Sequence, residues 1–121
     1  MRRSNGLTYL ATPYSDPDRA FRFSRFERAC QIAGFLIARG ELIFCPIAHS
    51  HPIAEECGLV TGFEYWEEFD RTMIAACSRV MVVKMPGWDT SRGIAEEIRI
   101  AGELGIPVEY MEDSLTENAV T

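Results

Sequence analysis

The chain has 121 residues, 47% hydrophobic and 25% charged, with a net charge of −6 and a single lysine, Lys84. That length holds one domain with one core and is too short for two. The acidic balance argues against a binder of nucleic acid polymers, which need a basic surface to displace phosphate counterions; one small anion held by a few arginines or a helix N-terminus stays open.

In chain order, "LTYLAT", 7–12, is a short apolar run closed by Pro13 and is expected to be a buried strand. A helix should follow. Asp16 suits its N-cap, Pro17 its first position and Asp18 the positive end of its dipole. Phe26, Cys30, Ala33 and Ile37 then recur at helical spacing, and Gly40 closes the run. "LIFCPI", 42–47, is the second strand. "AHSHPIAEECGLVTG", 48–62, shows no clear period and is expected to be loop with at most one helical turn. A helix is predicted over 63–77, a strand over 79–85, a loop over 86–90, a helix over 91–104 and a strand over 107–111. Residues 112–121 form a polar tail, expected to fray. No apolar run approaches the ~20 residues that cross a bilayer. "MRRSNGLTYLAT" is too briefly apolar for a signal peptide.

Strands alternating with helices imply a parallel sheet covered on both faces. The expected fold is a single flavodoxin-like, doubly wound α/β domain over residues 1–121, with four to five strands. In such folds the ligand site lies beyond the carboxyl ends of the strands. "ATPYSDP", "CPIAHSHP" and "KMPGWDTSRG" should converge there.

Two carboxylates fall on core-facing stripes. With Ile94 at zero on a helical wheel, Ile98 and Ala101 lie within about 40° and Glu97 at about −60°, inside the apolar sector, while Glu96 falls near 200°, toward solvent. Asp70 lies about 40° from Trp66, in the stripe made by Trp66, Phe69, Met73, Ile74 and Cys77. An unpaired carboxylate taken out of water costs several kcal/mol or shifts its pKa. Either arginines (Arg22, Arg25, Arg92 and Arg99 are available) or loop backbone cap these groups, or the pair serves one cleft. Paired carboxylates in a cleft are the usual equipment for glycosidic bond cleavage.

"YLATPY", "FDRTMIAACSRVMVV" and "PGWDTSRGIAEEIRIAGELGIPV" together resemble the nucleoside 2-deoxyribosyltransferase-like superfamily, closest to small bacterial and phage proteins of unknown function within it. The resemblance spans most of residues 9–108. It implies that Glu97, in the pattern Ser91-x-Gly93-x-x-x-Glu97, is a nucleophile toward the anomeric carbon of a sugar. It implies that Asp70, opening a D-x-x-x-I pattern with Ile74, assists departure of the base or positions the sugar. Tyr9, an aromatic of the first strand, is implied to contact the ligand. Ser91, where the deoxyribosyltransferases often carry Asp, matches the serine that contacts a 5′-phosphate in the nucleotide-cleaving members. Arg99 stands where a glycine usually follows the glutamate, and "AHSHP" has no counterpart in the classical transferases.

Other residues keep two readings. His49 and His51, with Cys45 and Cys57, match no common zinc spacing, and no metal is expected. His49 is either a cleft residue or an ordinary loop residue. Trp88 either stacks on a base with Tyr14 or covers the sheet edge. Arg19 either contacts phosphate near its helix start or is an exposed charge. Trp66 reads as core. The four cysteines contain no CxxC pair, so a reduced, cytoplasmic protein with free thiols is expected. The leading expectation is an N-glycosidase or deoxyribosyltransferase for a nucleoside or nucleoside 5′-phosphate, with no cofactor and no membrane partner, assembled as a homodimer or higher homo-oligomer. The competing expectation is a nucleotide-binding or sensing protein on the same fold without turnover.

Overall fold

The computed structural model describes residues 6–113. Four parallel strands form one sheet: β1 (Thr8–Ala11), β2 (Ile43–Phe44), β3 (Arg79–Lys84) and β4 (Val108–Glu112), in the order β2-β1-β3-β4. Between them run α1 (Arg19–Ala38), α2 (Pro46–Cys57), α3 (Phe63–Ala75) and α4 (Arg92–Leu104), with a short 3₁₀ turn at Trp88–Thr90. The architecture is α/β and consistent with a flavodoxin-like doubly wound fold. The predicted 112–121 tail lies largely outside the described residues.

Alternation along β1 and β3 builds two cores, because successive strand side chains point to opposite faces. Tyr9, Ala11, Val80 and Val82 pack against Ile74 of α3 and Ile94, Ile100 and Ala101 of α4. Leu10 and Val83 pack on the other face against Ala29, Ile32 and Ala33 of α1. Strand order reverses between β1 and β3, so the crevice for a ligand opens beyond the carboxyl ends of those two strands.

Several boundaries differ from expectation. The N-cap of α1 is Asp18, not Asp16: its carboxylate accepts from the Ala20 amide at 3.0 Å. Asp16 instead accepts from the Asp18 amide at 2.9 Å, and this local turn places the helix start two residues later. The buried stripe of α1 is Ala29, Ile32 and Ala33, and Ile37 is exposed. Segment 46–57 is a helix of 12 residues, not a loop. Pro46 takes the first helical turn, where its missing N–H is no loss, and Gly58 ends the helix with φ +66°. Its buried face reads Ile47, His51, Ala54, a helical spacing with a histidine in the middle. That histidine and the internal Pro52 hid the period. β2 is correspondingly only two residues long, because Cys45 caps α2.

Candidate active site

Ser91 caps α4, accepting from the Ile94 amide at 3.2 Å, and so fixes the start of a strongly amphipathic helix. Glu97 then falls among Ile94, Ile100 and Ala101 on the buried face, at 7% exposure. Glu96 points the other way. It is half-buried, not fully exposed as expected, because Arg99 holds its carboxylate at 2.7 Å.

Among the described residues Glu97 has no arginine partner. Arg22 donates to the Asp16 and Pro17 carbonyls, and Arg25 to those of Ser15 and Pro86. Arg92 pairs with Glu64, and Arg99 with Glu96 and Glu103. The hydroxyl of Tyr9 donates to Glu97 Oε2 at 2.7 Å. Tyr9 projects from β1 and is itself fully buried.

Glu97 and Asp70 line the same cleft, and Tyr9 acts on both. Loss of hydration pushes Glu97 up to about 8; the Tyr9 bond opposes this and the Asp70 charge adds to it. Asp70, half-buried, is pushed up by desolvation to about 6, again opposed by Tyr9. Of the two carboxyls, Glu97 holds its proton more tightly. The Tyr9 phenol is raised well above its ordinary value, first by burial and then by the Glu97 charge, so it remains a donor. Burial also raises the Cys45 and Cys77 thiols to about 11, which leaves them protonated and poor nucleophiles at neutral pH.

The cleft is built by the segments that follow three strands. Thr12, Tyr14 and Ser15 come from the end of β1; Pro46, Ile47 and Ser50 from α2; Ser91, Gly93 and Glu97 from α4. Thr61, Gly62, Phe63, Trp66 and Asp70 close it from α3 and the approach to it. The cleft is narrow, with about 60 Å³ of free space. A larger open groove of about 850 Å³ lies elsewhere, between α1 and α2, and neither Glu97 nor Asp70 lines it. The narrow cleft is the candidate site because the two inward carboxyls with raised pKa values line it.

Of the residues singled out in the sequence, Glu97, Asp70, Tyr14, Ser91 and Gly93 meet in this cleft. Tyr9 does not line it; it reaches it through Glu97. Three others lie apart. Trp88 packs edge-on against Tyr110, with centroids 5.8 Å apart, and Lys84 lies 5.6 Å from its ring, so it covers the β3–β4 side of the sheet. Arg19 is largely exposed and donates to Glu55 at 2.8 Å, on the groove between α1 and α2. His49 is exposed and stacks on Phe69 at 5.0 Å.

Sequence reasoning missed Thr12, Ser50 and Trp66 as cleft residues. Thr12 Oγ1 is buried with no hydrogen-bond partner among the described residues. Its place at the end of β1, next to Pro13, was the available signal. Trp66 was assigned to the core; its indole N–H donates to the Val60 carbonyl at 2.8 Å while the residue lines the cleft. Among the described residues no group of three or more His, Cys, Asp or Glu side chains could hold a metal ion. No helix among them is long and apolar enough to cross a membrane.

Fold and site thus define a parallel α/β domain with two inward carboxyls at the switch point of its sheet. The chain belongs to the family described as "Domain of unknown function (DUF1937)", which it matches over residues 6–113. No curated protein matches it significantly.

Proposed function

We propose that the chain cleaves the N-glycosidic bond of a nucleoside or nucleoside 5′-phosphate, with Glu97 as nucleophile. The observation that carries this reading is the pair Glu97–Asp70: two carboxyls with no cationic partner among the described residues, lining one cleft, with the Tyr9 hydroxyl donating to Glu97.

A Glu97 carboxylate oxygen attacks the anomeric carbon, the C–N bond breaks, and its electron pair leaves with the base. Water then cleaves the glycosyl ester, giving hydrolysis; a second base gives transfer. Between about pH 6 and 8 the two carboxyls hold one proton, mainly on Glu97. The reactive arrangement moves it to Asp70, which then protonates the departing base. Positive charge developing on the sugar stabilises the Glu97 carboxylate, so the attraction is strongest in the transition state.

Ser91 and the start of α4 supply donors for a phosphate or sugar hydroxyl. A Cβ added at Gly93 would meet only Ser91 Oγ, at 3.8 Å, so the fold tolerates alanine there and the bare backbone leaves room in the cleft. The narrowness of the cleft requires its rim to open for a nucleoside, or to be completed by a second copy of the chain.

The test is a panel of ribo- and deoxyribonucleosides and their 5′-monophosphates, with free base measured by chromatography. Base should appear with the wild-type chain and not with Glu97→Gln. Binding without release by the wild type would favour a nucleotide-binding protein on the same fold.

A further inference from the structure

The His51 ring sits where an apolar residue of α2 would normally go. It is 3% exposed, stacked on Phe26 at 4.3 Å, and its Nδ1 lies 2.5 Å from the Tyr14 hydroxyl. Tyr14 lines the cleft with Glu97 and Asp70; His51 lines the α1–α2 groove behind it. The pair therefore joins the cleft to the far side of α2.

We infer that His51 is a positioning residue whose Nδ1 accepts the hydrogen bond of the Tyr14 hydroxyl, so that Tyr14 offers the cleft an acceptor oxygen and receives a hydrogen-bond donor of the ligand. This rests on the cleft reading above and adds the ligand feature that Tyr14 selects: a sugar hydroxyl or a base amino group.

Three observations fix the direction of the bond. The positive charge of Arg22 acts on the Tyr14 oxygen and favours a phenolic proton turned away from it, toward Nδ1, which stands within hydrogen-bond distance. Burial pushes the Tyr14 phenol up, so it keeps its proton. Burial also pushes His51 down, so the ring is neutral at pH 7 and one nitrogen must accept. The charged groups facing His51 are Glu55 on its own helix and Arg22 and Arg19 on α1; Glu55 favours the imidazolium and the two arginines oppose it. Glu55 is already held by Arg19. With Nδ1 as acceptor, the ring proton lies on Nε2. Protonation of His51 at acid pH would reverse the bond: Nδ1–H would donate to the phenolic oxygen, and Tyr14 would turn from acceptor to donor.

The test uses the full chain with Tyr14→Phe, His51→Leu, their double variant, and His51→Asn. The asparagine Oδ1 stands close to the position of Nδ1 and does not titrate. Nitrogen NMR at pH 7 should show Nδ1 of His51 unprotonated and Nε2 protonated. Calorimetry with adenosine 5′-monophosphate should show Tyr14→Phe and His51→Leu each binding about tenfold more weakly, the double variant no weaker than either, and His51→Asn close to wild type. Wild-type affinity should fall as His51 protonates, and His51→Asn should lose that pH dependence. Inosine and 2′-deoxyadenosine 5′-monophosphates separate base from sugar: the ligand lacking the donor Tyr14 receives should be insensitive to Tyr14→Phe.

A proton on Nδ1 at pH 7, or His51→Asn binding as weakly as His51→Leu, would overturn the inference. If no nucleotide binds, the proposed function fails, and the nitrogen signature still decides the Tyr14–His51 arrangement.

Discussion

Replacing Glu97 by glutamine should stabilise the fold while removing activity. Burial raises the Glu97 carboxyl from its ordinary 4.5 to about 8. The folded chain therefore binds this proton more tightly than the unfolded chain, and folding becomes less favourable as pH rises between those values. Below about pH 4 the group contributes no cost. Above about pH 8 the cost is complete, about 5 kcal/mol as an upper figure, with about 4 kcal/mol of it developing between about pH 5 and 9. Glutamine does not titrate, and its carbonyl can still accept the Tyr9 hydroxyl that Glu97 Oε2 accepts at 2.7 Å. Thermal melts followed by circular dichroism at pH 5, 7 and 9 read the difference. The two proteins should melt close together at pH 5. The variant should melt higher at pH 9 by on the order of 10 °C, since 1 kcal/mol moves the midpoint of a chain this size by several degrees. Parallel curves at all three pH values would refute the reasoning, because Glu97 would then ionise as freely in the fold as in the unfolded chain.

Tyr9→Phe removes a hydroxyl that lowers both carboxyls, so both limbs of kcat/KM against pH should move to more alkaline values, with about 1 kcal/mol lost in chemical denaturation. Asp70→Asn leaves Glu97 as the one titrating carboxyl of the pair, so kcat/KM should keep a single ascending limb set by Glu97 and lose its descending limb, while the rate falls by about 10²–10⁴, as for loss of a general acid. Gly87→Ala should cost about 1–2 kcal/mol in a urea melt: Gly87 has φ +92°, and an added Cβ would stand 2.5 Å from Arg25 Nη2. Sedimentation at micromolar concentration should show a dimer or larger assembly, since a small chain gains stability by burying surface against a symmetric partner; a monomer would remove that expectation.

The central strands β1 and β3 were legible because strands buried on both faces read as plain apolar runs, and Glu97 because α4 has a clean apolar stripe around it. Asp70 was legible for the same reason on α3. What stayed hidden depended on polar residues in core positions. His51 breaks the stripe of α2, and its place is explained only by Tyr14 and Phe26, which approach from distant parts of the chain. The start of α1 was ambiguous because Asp16 and Asp18 both make caps, and only the backbone turn decides which one opens the helix. The role of Tyr9 was readable as an aromatic near the site, but its contact with Glu97 joins β1 to α4 across 88 positions of sequence. Trp88 illustrates the converse: a tryptophan in a loop at the strand ends packs on Tyr110 at the sheet edge.

The central claim is that Glu97 attacks the sugar and forms a covalent ester. The stereochemistry of transfer to methanol tests it most directly, with the wild-type chain, whichever nucleoside or nucleotide of the panel releases base, and the product read by proton NMR. Two successive displacements at the anomeric carbon should give a methyl glycoside with the configuration of the starting nucleoside, and none with Glu97→Gln. An inverted product would mean that methanol attacks directly and Glu97 acts as a base, and release of base by Glu97→Gln at the wild-type rate would take the residue out of the chemistry altogether.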